Sequence, residues 1–345
     1  MKSDRLDRAL AAEARRLRKL ADPAPSRTLY ALCRLRVPDQ LRDGPRTTAE
    51  LAARVGADEE ALDRVMRAGA ELGVVAPETE LTGQDGARRW RLRDAGRLLC
   101  HDEPGSLRAE LADNDLFSAW AGFEHSVRTG QPCYPKVLGS HIYDRLEADQ
   151  HSLEEFHRHM YARAQSLYGP LLDLDIWPHQ GTVVDVCGGT GGLLAQLLVA
   201  RPGVTGVLYD LPSVVALSPL AVPELGDRVR FVAGDVFSAV PAGGDLYVLA
   251  SILHNWKDQQ ALTILRHCRE AVAKGGRIFL LERSMPESGI CAAAFGDLCM
   301  LAMTGGRERT EGDWRKLSAA AGLTLTKACA VSDSEISVLV CEVNR

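Results

Sequence analysis

Residues 183–192, VVDVCGGTGG, constrain the fold of this chain more than any other stretch. An apolar run carries Asp185, gives way to four glycines around Thr190, and is followed by a leucine-rich helical pattern. A strand that ends in glycines and opens a helix lets a ligand approach bare backbone N–H groups at the end of a sheet. From 181 onward, short apolar strands alternate with amphipathic segments. The spacing predicts strands at 183–187, 204–209, 229–233, 245–250 and 276–283. Helices are expected at about 192–200, 212–220, 258–273, 291–303 and 311–321. The closing runs 323–329 and 335–342 read as a strand pair, the last strand antiparallel. This is the grammar of a doubly wound α/β sheet, Rossmann-like in architecture.

The loop's details narrow its ligand. A dinucleotide fingerprint starting at Gly189 requires glycine or alanine at 194, and that position is Leu194. Asp185, just before the glycines, suits a ligand carrying an ammonium group. Asp210, ending VTGVLYD, is placed to accept ribose hydroxyls. S-adenosylmethionine has both features. Asp235 in GDVF (234–237) is expected to meet the adenine amino group, with Val236 and Phe237 packing on the ring. The next strand, DLYVLA, runs into SILHNWKD and sets His254 on the rim of the same crevice.

The 345 residues suffice for two ordinary domains, each with its own core. No apolar run approaches the ~20 residues of a membrane span, and the charged N-terminus lacks the apolar core of a secretory signal. Nine scattered cysteines without C-x-x-C spacing fit a reducing cytosol rather than a disulfide framework or zinc site. Residues 45–78 read as two short helices, Thr48 and Asp58 capping them and Gly56 breaking between them. GVVAPE and RRWRLRDAGRLL then flank a glycine-containing turn as strands of a wing. A winged helix often binds DNA, and residues 1–46 carry 12 Lys/Arg against 6 Asp/Glu. The second helix, however, has Asp63 and Glu71 and no cluster of Arg, Asn or Gln to read bases. Residues 107–180 are mainly helical.

Taken together, DVCGGTGG, YDLP (209–212), RVRFVAGDVF (228–237), LHNWKD (253–258), GGRIFLLE (275–282) and GGRERTEGDW (305–314) resemble the S-adenosylmethionine-dependent small-molecule O-methyltransferases, plant caffeate-type and bacterial natural-product enzymes alike. The resemblance spans nearly the whole chain. It implies a class I methyltransferase sheet at 181–345, a helical linker and acceptor region at 106–180, and a winged-helix dimerisation domain at 1–105. It implies His254 as general base, with Glu282 and Glu308 as supporting acids, one of them on the far ring nitrogen. Cofactor contacts are expected from Asp185, Gly188, Gly189, Gly191, Asp210, Leu211, Asp235, Val236, Phe237 and Ser251. The acceptor pocket is expected from Trp120, Phe156, Met160, Asn255, Asp297, Met300 and Met303, together with Phe295. Polar residues near it, among them His157, His159 and Arg307, are candidates for a charge on the substrate.

The implied protein is a cytoplasmic homodimer that methylates a hydroxyl of a small aromatic or phenolic acceptor in secondary metabolism and releases S-adenosylhomocysteine. No metal, nucleic acid or membrane is expected. Methylation at a ring carbon, and a winged-helix regulator whose α/β part only senses a ligand, are the rival readings. Two positions depart from the family. Cys187 stands where glycine is usual, and a thiol fits there if the backbone avoids positive φ. Ala250 replaces a lysine found in some members.

Overall fold

The computed structural model describes residues 2–78, 88–103, 105–222, 224–289, 293–331 and 334–344. The chain divides into two compact units, Met1–Asn114 and Asp115–Arg345.

In the first unit, helices Thr48–Val55 and Glu59–Glu71 follow helix Ala24–Arg34 around a core of Leu32, Leu51, Leu62, Met66 and Trp90. The first of the pair is capped by Thr47, not by Thr48. Thr47 and Glu50 form a reciprocal capping box, while the Thr48 hydroxyl accepts the buried Trp90 indole N–H at 2.9 Å. Asp58 caps the second helix and Gly56 turns left-handed between them, as the spacing predicts. Strands β1 (Arg46–Thr47), β2 (Val75–Pro77) and β3 (Arg89–Leu92) form the antiparallel wing in the order β1-β3-β2. The wing's turn, 79–87, lies outside the described residues. Helix Glu59–Glu71 carries Glu59 and Glu60 in its first turn, and its Asp63 pairs with Arg67.

The second unit is built on strands β4 (Gln180–Val186), β5 (Gly203–Asp210), β6 (Val229–Ala233), β7 (Leu246–Ala250), β8 (Arg277–Met285), β9 (Arg309–Thr310), β10 (Leu323–Ala330) and β11 (Ile336–Val343). The sheet order is β10-β11-β8-β7-β4-β5-β6, with two-residue β9 added beside β8. β4 to β8 pair in parallel, and β11 enters antiparallel between β8 and β10. Alternate residues feed two cores: Val184, Val186, Val207 and Leu280 on one face, Val183, Leu208, Val248 and Phe279 on the other. Strand order reverses at β4, which opens a crevice at its carboxyl end.

The segment expected as helix 212–220 is helical only over Pro212–Val215. Pro219 disfavours helical backbone at Ser218, whose hydroxyl instead donates to the Thr190 carbonyl and ties the segment to the glycine loop. Helix 291–303 is seen as Ala293–Met303, residues 291 and 292 lying outside the description. No helix among the described residues is long and apolar enough to cross a membrane.

Candidate active site

The carboxyl ends of β4 and β5 place Asp185 and Asp210 on either side of the glycine loop. Asp185 is buried, and neither carboxylate oxygen finds a donor in good geometry. Burial, reinforced by Asp210, pushes its pKa up to about 7. Gly188 is required beside it, because a Cβ there would lie 2.5 Å from the Asp185 carboxyl carbon. Gly189 and Gly191 turn the loop at φ of 60° and 93°. Asp210 accepts the Gly189 N–H at 2.8 Å and the Leu211 N–H at 2.7 Å. Burial raises its pKa to about 6 despite these bonds.

Cys187 sits in the same loop at φ 54°. The condition under which a thiol would fit without strain is therefore not met, and the left-handed conformation costs about 1–2 kcal/mol for a residue with a Cβ. Ser251, at φ 56°, is the second such residue in the crevice. Its hydroxyl accepts the Tyr168 O–H at 2.7 Å, and its carbonyl accepts the Asn255 side-chain amide. Asp235 folds onto its own turn, accepting the Phe237 N–H at 2.9 Å. Val236 is buried in the core, whereas Phe237 packs edge-on against Trp256 with centroids 4.7 Å apart. Tyr143 stacks on the same Trp256, extending an aromatic wall.

Across the crevice, His254 lies in the short turn Leu253–Asn255 after β7. Its Nδ1 is 3.1 Å from Glu282 Oε2 and 3.5 Å from Glu308 Oε1. Both glutamates are buried. They share one ring nitrogen, a departure from the expectation of a single acid on it. Glu282 is fixed by the Ile252 and Leu253 N–H groups on its other oxygen, at 3.1 and 2.8 Å, and Arg283 approaches Glu308 at 3.6 Å. Burial alone would lower the imidazole's pKa, but Glu282 and Glu308 outweigh it and raise it to about 9.

Two further residues, whose roles depend on tertiary contacts, support this geometry. Arg309, almost wholly buried, donates to the Leu253 and Trp256 carbonyls at 2.9 and 2.8 Å and pairs with Asp258, stapling the histidine turn. Asp297 takes the Glu308 N–H at 2.7 Å, a structural use of a residue expected in the acceptor pocket. GGRER packs directly on the turn: Arg307 N–H donates to the His254 carbonyl at 2.8 Å. A Cβ on Gly306 would fall 2.0 Å from that oxygen. A signal for Arg309 existed, since a guanidinium in a glycine-rich turn is suited to capping several carbonyls at once.

The acceptor candidates separate. Met303 is buried with Ala119, Cys133, Tyr134 and Ala302, so it is core and not pocket lining. Asn255 is turned back onto Ser251. Trp120, Phe156, Met160 and Met300 keep accessible surface, and Phe295 is 78% exposed. Arg307 already pairs with Asp313, which removes it as an unmatched charge for a substrate.

An O-methyltransferase domain model matches residues 120–324, and an O-methyltransferase dimerisation domain model matches residues 22–102. The chain belongs to the O-methyltransferase family. As a methyltransferase of this family it uses S-adenosylmethionine. It is 38% identical to O-demethylpuromycin-O-methyltransferase of Streptomyces alboniger over 88% of this chain and 81% of that protein. Among solved structures, the mitomycin 7-O-methyltransferase MmcR has 28% identity and a TM-score of 0.90, covering 98% of this methyltransferase and 99% of that chain. NcsB1, an O-methyltransferase from neocarzinostatin biosynthesis solved with S-adenosylmethionine and 2-hydroxy-5-methyl naphthoic acid, has 32% identity and a TM-score of 0.83 over 95% and 98% of the two chains.

The crevice residues fit that methyl donor. Asp185, buried with neither carboxylate oxygen hydrogen-bonded in good geometry, is expected to meet its ammonium group, and binding should then favour the ionised carboxylate. Affinity for S-adenosylhomocysteine is therefore expected to weaken as pH falls through about 7, where Asp185 takes up a proton. Calorimetry in buffers of different ionisation enthalpy should register proton release on binding near pH 6–7. An affinity flat from pH 8 to 5.5 would contradict the assignment.

Proposed function

We propose that the methyltransferase methylates the hydroxyl of a small phenolic acceptor, with His254 as the base that takes the hydroxyl proton. The observation that carries this reading is the pair of buried carboxylates, Glu282 and Glu308, on His254 Nδ1. They hold Nδ1 as the protonated nitrogen, which leaves Nε2 to accept the acceptor's proton. Bound S-adenosylmethionine supplies an electrophilic methyl group on a sulfonium. Asp185 would hold its ammonium and Asp210 its ribose, while Phe237 and Trp256 offer apolar surface to the adenine.

A phenol has a pKa near ~10 and a free imidazole near ~6.5. Proton transfer to an ordinary histidine is then about 3.5 units uphill. With His254 raised to about 9, the gap narrows to about one unit, and the imidazolium that forms lies against two negative charges. Exposed Trp120 and partly buried Phe156, Met160 and Met300 suit an apolar aromatic acceptor. Relatives named for aromatic hydroxyl acceptors, such as 3-amino-4-hydroxybenzoate 4-O-methyltransferase of Streptomyces cremeus, favour the same class. The reading includes a homodimer formed through the first unit, in keeping with the dimerisation-domain match, and a cytoplasmic location.

The test is the pH profile of kcat/KM with a phenolic acceptor. The rate is expected to rise with pH, inflect near pH 9 and level off above it, because only the unprotonated base accepts a proton. Glu308→Gln removes one negative neighbour, so the inflection should move to lower pH while the plateau falls about tenfold or more. An inflection that Glu308→Gln leaves in place would sink this role for the pair.

A further inference from the structure

His157 was a candidate for the acceptor side of the pocket, and the structure turns it elsewhere. It lies on helix Gln150–Tyr168, which packs tightly on helix Gly192–Ala200: a Cβ on Gly192 would come within 2.9 Å of the Tyr161 carbonyl. One turn before Tyr161, the His157 imidazole sits over the glycine loop, its Nδ1 3.6 Å from where a Cβ on Gly189 would project. That nitrogen is buried and has no hydrogen-bond partner among the described residues. A buried polar atom left unpaired costs about 1–3 kcal/mol, so a partner from a ligand would recover a real loss. Edge-on packing of Phe156, with centroids 5.2 Å apart, fixes the ring.

Which part of the ligand it would meet follows from its neighbours. Gly189, the residue beneath it, donates its N–H to Asp210. Glu147, which accepts the Ser213 hydroxyl next to Asp210, acts electrostatically on both His157 and Asp210. His157 therefore covers the Asp210 side of the loop. We infer that His157 Nδ1 hydrogen-bonds a ribose hydroxyl of the bound methyl donor, opposite Asp210, so that the ribose is held from both sides. Burial holds the imidazole down to about 4, which keeps it neutral beside a cationic sulfonium. A neutral ring offers one donor and one acceptor, as a hydroxyl requires. The inference rests on the methyl-donor reading of the crevice.

Calorimetry with S-adenosylhomocysteine tests it on the full chain. His157→Phe keeps an aromatic ring and removes the nitrogen; its Kd should rise about tenfold, with the melting temperature near that of the wild type. His157→Asn retains a polar atom at that reach and should bind within about threefold of wild type. Methylthioadenosine, which keeps the ribose but lacks the amino-acid end, should lose the same factor with His157→Phe. Wild-type affinity in His157→Phe would overturn the inference, as would a penalty seen with S-adenosylhomocysteine and absent with methylthioadenosine. Failure of the wild-type protein to bind S-adenosylhomocysteine at all would instead remove the donor reading beneath it. A general loss of stability in His157→Phe would be exposed by His157→Asn; if both bind alike and weakly while melting normally, the nitrogen has no role.

Discussion

His254→Ala is expected to lower kcat by about 10²–10⁴ while S-adenosylhomocysteine binds with near wild-type affinity. The two readouts separate because His254 stands on the turn after β7, whereas the acids proposed to face the donor, Asp185 and Asp210, lie at the carboxyl ends of β4 and β5. The substitution also leaves Glu282 and Glu308 without their shared cation. Two buried carboxylates side by side then resist joint ionisation, and one takes up a proton. Some stability should be lost with the ion pair, so active sites must be counted by titration with S-adenosylhomocysteine and kcat expressed per site. The Arg309 staple on the Leu253 and Trp256 carbonyls does not involve the imidazole, so the turn itself should hold its shape. Full activity per site in His254→Ala would show that another group takes the proton.

Asp210→Ala should have the opposite signature, a donor affinity weakened by about 10²–10⁴ and read directly by calorimetry. The carboxylate organises the loop through the Gly189 and Leu211 N–H groups and is the group proposed to hold the ribose. Hydrogen bonds to a charged group are worth about 1.5–3 kcal/mol each, and losing two of them spans that range. Asp210→Asn preserves the shape without the charge and should fall between the two. If Asp210→Ala bound S-adenosylhomocysteine as tightly as the wild type, the donor would have to lie elsewhere in the crevice.

Much of this arrangement was readable from residue order. A parallel sheet buries both faces of its strands, so the strands appear as apolar runs, and the residue ending each run faces the crevice. That logic places Asp185, Asp210 and His254 at one edge from residue order alone. What escaped was set by long-range geometry. That both glutamates meet one nitrogen of His254 depends on β8 lying beside β7 and on GGRER folding over the turn, at sequence distances no local pattern encodes. Met303 reads the same whether it lines a pocket or fills a core, because helical periodicity reports burial and not what buries it. For Cys187 the sequence supplies only a condition, that a thiol fits if the backbone avoids positive φ, and the loop geometry does not meet it. Periodicity places His157 on a helix, but which side of the crevice it faces depends on the contact between that helix and the glycine loop.

The central claim is methyl transfer from sulfur to a phenolic oxygen. It is tested most directly by supplying S-adenosylmethionine labelled with carbon-13 in the methyl group, together with a panel of hydroxylated aromatics, and locating the label in the products by NMR. The account predicts an aryl methoxy carbon that forms with the wild-type protein and, per active site, at least a hundredfold more slowly with His254→Ala. A label found on a ring carbon, or left on the donor with every acceptor while the protein still binds S-adenosylhomocysteine, would contradict it.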